Sequence, residues 1–176
     1  MRIPLWTPSE VQRDPGLVAA IEQRRGGRLI NLDRMLLWSE PLARSWNVFL
    51  RTLRHELSLS PRLRELAICV VARATGAEYE FHHHAPEFEK AGGSAAQVTA
   101  LADPDAAAIG GLFDELENNV IRYALASTRE VKIPESLFAA LARRLSPAEL
   151  VELAAVVAGY NMVARFLVAL EVPPDG

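Results

Sequence analysis

Two carboxylates and a histidine in the middle of the chain could together move a proton. Glu80 and His84 are four residues apart, so on an α-helix they lie on one face, about one turn from each other. Glu65 precedes them by several apolar turns and a break at Thr75-Gly76, so a tight helical hairpin could return its carboxylate to the same pocket. A carboxylate beside an imidazole is the smallest pair of side chains expected to transfer a proton near neutral pH.

The elements that must position these side chains are predicted from cap signals and apolar spacing. Ser60 followed by proline suits the start of a helix that runs to about Ala74. A second helix is predicted from about Ala77 to the glycine pair that begins at Gly92. The two carboxylates and the histidine therefore lie on two consecutive helices.

The whole chain is predicted to be all-α, because no stretch alternates apolar and polar residues long enough to indicate a strand. Its 176 residues suit one helical domain. That domain is divided into an irregular arm (1–15), N-terminal helices (16–59) and a core (60–170). Within the core, a long helix is predicted from about residue 106 to 127, with a glycine pair as its weak point.

Composition and charge exclude several classes of protein. The net charge is −3 and basic residues are dispersed, which argues against nucleic-acid binding. A single cysteine, Cys69, excludes an internal disulfide, and the N-terminus lacks a signal-peptide pattern, so a cytoplasmic protein is predicted. The apolar stretch Leu153–Leu170 is interrupted by Asn161 and Arg165, which favours a buried helix over a membrane span.

Glu65, Glu80 and His84 could each also have a purely structural role with no part in catalysis. Glu65 could be a boundary carboxylate that pairs with Arg62 or Arg64 on the surface. Glu80 and His84 could form a structural hydrogen bond inside a helix pair. Spacing alone leaves both interpretations open.

A metal site is a minor alternative. Consecutive residues on a helix point about 100° apart, so His82, His83 and His84 cannot all coordinate one ion. His84 with Glu80 and Glu65 could hold a divalent ion, but no metal or other cofactor is predicted. His82 and His83 are expected on an outer face or at an interface.

Short motifs between residues 64 and 92, together with a C-terminal segment, carry a resemblance to a known family. The motifs are Arg64-Glu65, Ala72-Arg73, Gly76–Phe81, His84–Pro86 and Ala91-Gly92. They resemble the carboxymuconolactone decarboxylase family, which includes the alkylhydroperoxidase D proteins. The segments Leu145–Leu153 and Tyr160–Phe166 resemble the C-terminal helix of that family, so the resemblance extends from roughly Gly27 to Leu170.

The peroxidase members of that family carry a Glu, eleven residues, Cys, two residues, Cys, three residues and His. Counted from Glu65, this pattern places Ala77 and Glu80 at the cysteine positions and His84 at the histidine. Thiolate attack and disulfide closure require both cysteines, so the two-cysteine peroxidase chemistry is not expected. Cys69 leaves open a one-cysteine site that borrows an external thiol, although an isolated cysteine in an apolar helix is often an inert small hydrophobe.

The resemblance implies a cofactor-free enzyme that acts by proton transfer on a small carboxylated or carbonyl-containing molecule, as in lactone decarboxylation. In that hypothesis His84 donates the proton, Glu80 orients it and Glu65 is the second carboxylate of the relay. A homo-oligomer is also implied: a dimer, trimer or hexamer whose subunit contacts complete the pocket. The candidate substrate-binding residues are Tyr79, Cys69, Tyr160 and Arg165.

Two rival functions remain open at this point. One is an alkylhydroperoxidase-like antioxidant protein that depends on Cys69. The other is a non-catalytic helical oligomer or ligand-binding module in which the Glu and His residues are structural polar packing. Exposure of Cys69 in the pocket would favour the first, and a filled core would favour the second.

Overall fold

The computed structural model describes residues 1–175, and all the regular secondary structure in that range is helical. The predicted all-α class is therefore confirmed. The described chain forms the helices α1 (Pro15–Arg24), α2 (Asn31–Leu36), α3 (Glu40–His55), α4 (Pro61–Thr75), α5 (Glu78–Lys90), α6 (Ala95–Ala100), α7 (Pro104–Ala107), α8 (Glu115–Arg129), α9 (Glu135–Ala142) and α10 (Pro147–Leu170).

The chain divides into two compact units. Residues 1–56 form the first unit together with residues 167–175, and residues 57–166 form the second. Every candidate site residue named from the sequence belongs to the second unit. The single domain predicted from chain length stays a prediction.

In the first unit, the N-terminal arm is held by hydrogen bonds that Trp6 forms with Val11 and Arg34. Trp6 is buried; its indole N–H donates to the carbonyl of Val11 at 2.9 Å, and its carbonyl accepts from Arg34 at 3.0 Å. Asp33 is also buried and accepts from Arg24 and Arg25, so its charge is compensated.

In the second unit, α4 is the central helix and packs against α5 and α8. Its residues Leu66–Val71 are fully buried, which accounts for the unbroken apolar run in the sequence. The helix ends at Gly76, whose φ of 67° and ψ of 24° lie in the left-handed region that glycine adopts without strain. Gly76 thus reverses the chain and makes α4 and α5 a hairpin, as predicted.

The single long helix predicted over residues 106–127 is wrong. The structure ends α7 at Ala107, turns through Gly111 with a φ of 77°, and begins α8 at Glu115. Asp114 and Glu117 form a capping box there, each side chain bonding the other residue's backbone N–H. A glycine pair followed by a strong cap stabilises a new helix start more than a continuous helix.

By length and composition alone, α10 could cross a membrane, and half of its apolar stretch is buried inside the protein. The core helices of soluble proteins meet the same two criteria. Within the second unit, Leu153, Val157 and Tyr160 on this helix are completely buried. This burial agrees with the prediction of a core helix.

Candidate active site

The α4–α5 hairpin brings Glu65 and His84 into direct contact. Glu65 Oε2 lies 2.7 Å from His84 Nδ1, and both residues are buried, with 5% and 8% of their surface exposed. A carboxylate only accepts hydrogen bonds, so Nδ1 carries the hydrogen in this contact. The convergence expected from the helix spacing and the Gly76 turn is therefore present.

Glu65 remains a carboxylate despite its burial. Burial raises the pKa of Glu65, but the hydrogen bond and positive charge of His84, together with Arg64, lower it more, so it lies below its ordinary value of 4.5. Arg64 Nε donates to Glu65 Oε1 at 3.1 Å. The predicted alternative of a surface ion pair thus has the right partner, but the carboxylate lies inside the protein.

The imidazole ring of His84 is held from a second side by Tyr160. The two ring centroids are 4.9 Å apart and the planes are almost perpendicular, at 89°. This edge-to-face geometry is favourable between rings. With Nδ1 bound to Glu65 and the ring packed edge-to-face against Tyr160, the imidazole is held in one orientation.

Glu80 lies one turn before His84 on α5 and is 2% exposed. The orienting contact to the Nδ1 nitrogen, which was expected from Glu80, is made by Glu65. A direct action of Glu80 on His84 stays a prediction. The position of Glu80 is nevertheless close enough to the thiol of Cys69 for its charge to act there.

Cys69 does not have the environment of a reactive thiol. It is completely buried, and burial, followed by the negative charges of Glu65 and Glu80, raises the pKa of its thiol far above the ordinary value. Arg73 opposes this effect only partly. Since the thiolate is the nucleophile, this environment disfavours the reactive form of Cys69 near neutral pH.

The other predicted binding residues have different neighbours. Tyr160 joins the Glu65–His84 pair, whereas the ring of Tyr79 lies 4.6 Å from that of His83. Arg165 is exposed and donates to the carbonyl oxygen of Asn161 at 3.1 Å and to its Oδ1 at 2.5 Å. The guanidinium of Arg165 is thus engaged by its own helix.

The histidines beside His84 point elsewhere. His82 is exposed and His83 is half-buried. Within the part of the chain that the structure describes, there is no group of three or more His, Cys, Asp or Glu side chains arranged to hold a metal ion.

Sequence reasoning missed Arg73 as a member of this region. It is four residues after Cys69 and eight after Glu65, a spacing that places all three on one face of α4. Its guanidinium carbon lies 3.5 Å from the centroid of the Phe81 ring on α5. The helical spacing was the available signal.

Residues 40–113 match the sequence pattern of the carboxymuconolactone decarboxylase family. The match contains both helices of the hairpin and with them Glu65, Glu80 and His84. This match is shorter than the resemblance described above, since the C-terminal segment lies outside it. No curated protein sequence matches the chain.

Solved structures with the same fold cover nearly the whole chain. An alkylhydroperoxidase D core protein, an uncharacterized peroxidase-related protein from Ralstonia eutropha JMP134, has a TM-score of 0.83 at 15% identity, covering 99% of this chain and 92% of its own. A peroxidase-related protein from Silicibacter sp. TM1040 has a TM-score of 0.79 at 19% identity, covering 93% and 88%. The debrominase Bmp8, solved in complex with 2,3,4-tribromopyrrole, has a TM-score of 0.79 at 18% identity, covering 100% and 92%.

At these identities the solved structures show the fold, and the family is indicated by the sequence match over the hairpin. The two findings concern the same helices, and the motif glutamate and histidine are in contact there. The α4–α5 hairpin of this chain thus lies within a match to the carboxymuconolactone decarboxylase family, the chain has the fold of alkylhydroperoxidase D-like structures, and Ala77 and Glu80 stand where the peroxidase pattern has its two cysteines.

Proposed function

We propose that this protein is a cofactor-free enzyme that transfers a proton on a small carboxylated or carbonyl-containing organic molecule. The observation that carries the proposal is the buried contact of 2.7 Å between Glu65 Oε2 and His84 Nδ1. Burying a carboxylate is costly unless it is paired and hydrogen-bonded. At Glu65 this cost is offset by hydrogen bonds from Arg64 and His84, and the bond with His84 orients the imidazole.

The pair suits general acid catalysis in three respects. The carboxylate of Glu65 fixes the ring tautomer by accepting from Nδ1. Its negative charge stabilises the ring when it carries a second proton, and Tyr160 restricts the ring plane. Nε2 then donates to the substrate and is reprotonated from water after each turnover.

The reaction class that we infer is lactone decarboxylation. The bond between the substrate carbon and its carboxylate breaks, carbon dioxide leaves, and the electron pair of that bond becomes a dienolate conjugated with the lactone carbonyl. His84 protonates the dienolate carbon, so the product gains one hydrogen for each carbon dioxide lost. Electrostatic stabilisation of the dienolate oxygen and one positioned proton donor are what this step needs from the protein.

Glu80 is the second carboxylate of the proposed relay. It is as buried as Glu65 and lies on the same helical face as His84. In this scheme Glu65 orients the imidazole, and Glu80 passes protons between the site and solvent. The two carboxylates thus exchange the roles that the sequence suggested.

A thiol mechanism has less support. Cys69 is completely buried and its pKa is raised, and the family cysteines are replaced. One protein of the same fold is a debrominase solved with 2,3,4-tribromopyrrole. This compound, supplied with an external thiol as reductant, therefore belongs in the substrate panel as the test of thiol chemistry.

The experiment incubates the protein with small lactone acids and aromatic-catabolism acids and measures carbon dioxide release and mass loss. His84→Gln should lower turnover by about 10² to 10⁴, the usual contribution of general acid–base catalysis. His82→Gln is the matched control, because it changes an exposed histidine on the same helix and should keep full activity. Full activity of His84→Gln would contradict the proposal.

A second comparison tests the coupling of the pair. Glu65→Gln and the double variant Glu65→Gln/His84→Gln should be strongly non-additive, since both substitutions act on one step. Additive losses would show that the carboxylate and the imidazole work separately. No turnover of any compound in the panel would favour the non-catalytic helical module.

A further inference from the structure

We propose that Arg73 binds a carboxylate of the substrate, so that this site takes small organic anions. The inference rests on the proposed function and adds to it the residue that recognises the charge of the substrate. The sequence had suggested Arg165 for this role.

Arg73 lies on the site face of α4. Glu65, Cys69 and Arg73 follow one another at intervals of four residues, so they form one stripe along the helix. At 1.5 Å per residue, the Cα atoms of Glu65 and Arg73 are about 12 Å apart along the axis. The charge of Arg73 acts on the thiol of Cys69, the same thiol on which the charges of Glu65 and Glu80 act. The guanidinium and the two carboxylates are therefore all within electrostatic reach of the Cys69 thiol.

The guanidinium is held in one orientation by α5. Its central carbon lies 3.5 Å from the centroid of the Phe81 ring, and its Nη1 donates to the two carboxylate oxygens of Glu78 at 3.0 and 3.2 Å. Phe81 is three residues before His84, on the same side of the helix. Stacking on an aromatic face favours a flat, fixed guanidinium, which costs less entropy when it binds a ligand.

One donor of this guanidinium is buried without a partner. Nε of Arg73 has no hydrogen bond among the described residues, although it is shielded from solvent. A buried donor without an acceptor destabilises a fold. Nε and Nη2 form the edge of a guanidinium that binds a carboxylate through two parallel hydrogen bonds, while Glu78 accepts from Nη1. In this proposal the carboxylate of the substrate accepts from Nε and Nη2.

The charges of the site require such a cation. Glu65 and Glu80 would both repel an anionic molecule that approached His84, and the repulsion is strong at low dielectric. Arg64 is already bound to Glu65, and Arg165 is exposed and bound to Asn161. Arg73 has a buried donor, Nε, without an acceptor among the described residues.

Arg73 lies on α4 and His84 lies on α5, so the two side chains would contact different groups of a bound substrate. The carboxylate that Arg73 binds and the group that reacts at His84 are different parts of one molecule. A carboxylate paired with a guanidinium is stabilised against loss as carbon dioxide. The substrate class is therefore a small organic acid that has a second reactive carboxyl or carbonyl group.

The binding test uses glutarate as the probe and glutaramide as its uncharged control. The Nε–H signals of arginine are followed by ¹H–¹⁵N NMR, and the Arg73 signal is identified by its disappearance in Arg73→Lys. We expect that signal to move saturably with glutarate and to stay in place with glutaramide. An Arg73 signal that does not move when glutarate is added to the folded wild-type protein overturns the proposal.

A second test compares glutarate binding by two arginine variants. Arg73→Lys should weaken glutarate binding by about tenfold or more, because lysine cannot form the bidentate pair. Arg165→Lys is the matched control and should bind as the wild type does. Equal binding by both variants, or equal weakening, contradicts the assignment to Arg73.

Turnover separates this inference from the proposed function. With an anionic substrate, Arg73→Lys should raise KM about tenfold and leave most of kcat, whereas His84→Gln should remove kcat. An unchanged KM in Arg73→Lys, with activity still dependent on His84, overturns the role of Arg73 and leaves the proposed function intact. Saturable glutarate binding at Arg73 together with activity independent of His84 supports the carboxylate site and contradicts the relay.

Discussion

Replacement of Glu65 by glutamine tests whether this buried carboxylate stabilises the fold through its charge. Glu65→Gln keeps the size of the side chain but removes the negative charge. In the wild type, Oε2 accepts from His84 at 2.7 Å and Oε1 accepts from Arg64 at 3.1 Å. Glutamine has one acceptor oxygen, so one of these two donors must face an amide N–H instead.

The expected loss can be worked from these two contacts. A hydrogen bond to a charged group contributes about 1.5–3 kcal/mol, and the donor left without an acceptor is buried in either orientation of the amide. We expect the free energy of unfolding at neutral pH to fall by about 3 kcal/mol. For a chain of this length, a loss of that size lowers Tm by roughly 6–12 °C.

The pH dependence has a definite sign. The pKa of Glu65 in the folded state lies below its ordinary value of 4.5, so its ionisation stabilises the fold above that value. This contribution is lost as the pH falls through the folded-state pKa. The difference in stability between the wild type and Glu65→Gln should therefore shrink steadily in acid.

The assay is urea unfolding at pH values from about 7 down to about 3, which measures how the contribution of ionised Glu65 to stability changes with pH. Glu87→Gln is the matched control, because Glu87 is a half-exposed carboxylate on the same hairpin, paired with Lys90 at 2.6 Å. Such surface pairs contribute roughly 0–1 kcal/mol. Equal losses in the two variants, or a difference that persists in acid, would refute the reasoning.

Four further predictions concern the thiol, the assembly and the packing of the second unit. Cys69→Ala should keep turnover within a few-fold of wild type, and a loss of two or more orders of magnitude would establish a one-cysteine mechanism. Light scattering should detect a homo-oligomer at micromolar concentration, and a mass of 19.4 kDa at every concentration would exclude it. Gly93→Ala should cost about 1–3 kcal/mol in urea unfolding, since its Cβ would lie 2.6 Å from the Phe88 ring and 2.8 Å from the Phe88 carbonyl oxygen; an unchanged midpoint would contradict this contact. Arg62→Met should cost about 2 kcal/mol by the same assay, because it leaves buried Glu117 without its partner at 2.5 Å; a stability equal to wild type would show that the pair contributes nothing.

Much of the site was predictable because it depends on local geometry. The spacing of Glu80 and His84 places them on one face of any α-helix. Gly76 is a helix stop that needs only its own backbone freedom, so the hairpin that returns Glu65 could be expected. The replacement of the two family cysteines by Ala77 and Glu80 was evident from counting residues. The family sequence match and the similar solved structures agree with the fold class that this local pattern indicated.

Other features were decided only when the helices packed. Whether Glu65 or Glu80 bonds to His84 Nδ1 depends on the rotation and axial offset of α4 against α5, which no spacing along one helix specifies. The raised pKa of the Cys69 thiol comes from complete burial beside negative charges. The position of Arg73 over Phe81 likewise joins side chains of two helices. The sequence determined which residues share a helical face, and the tertiary structure determined which faces meet, because those contacts come from packing between helices and not from the periodicity of either one.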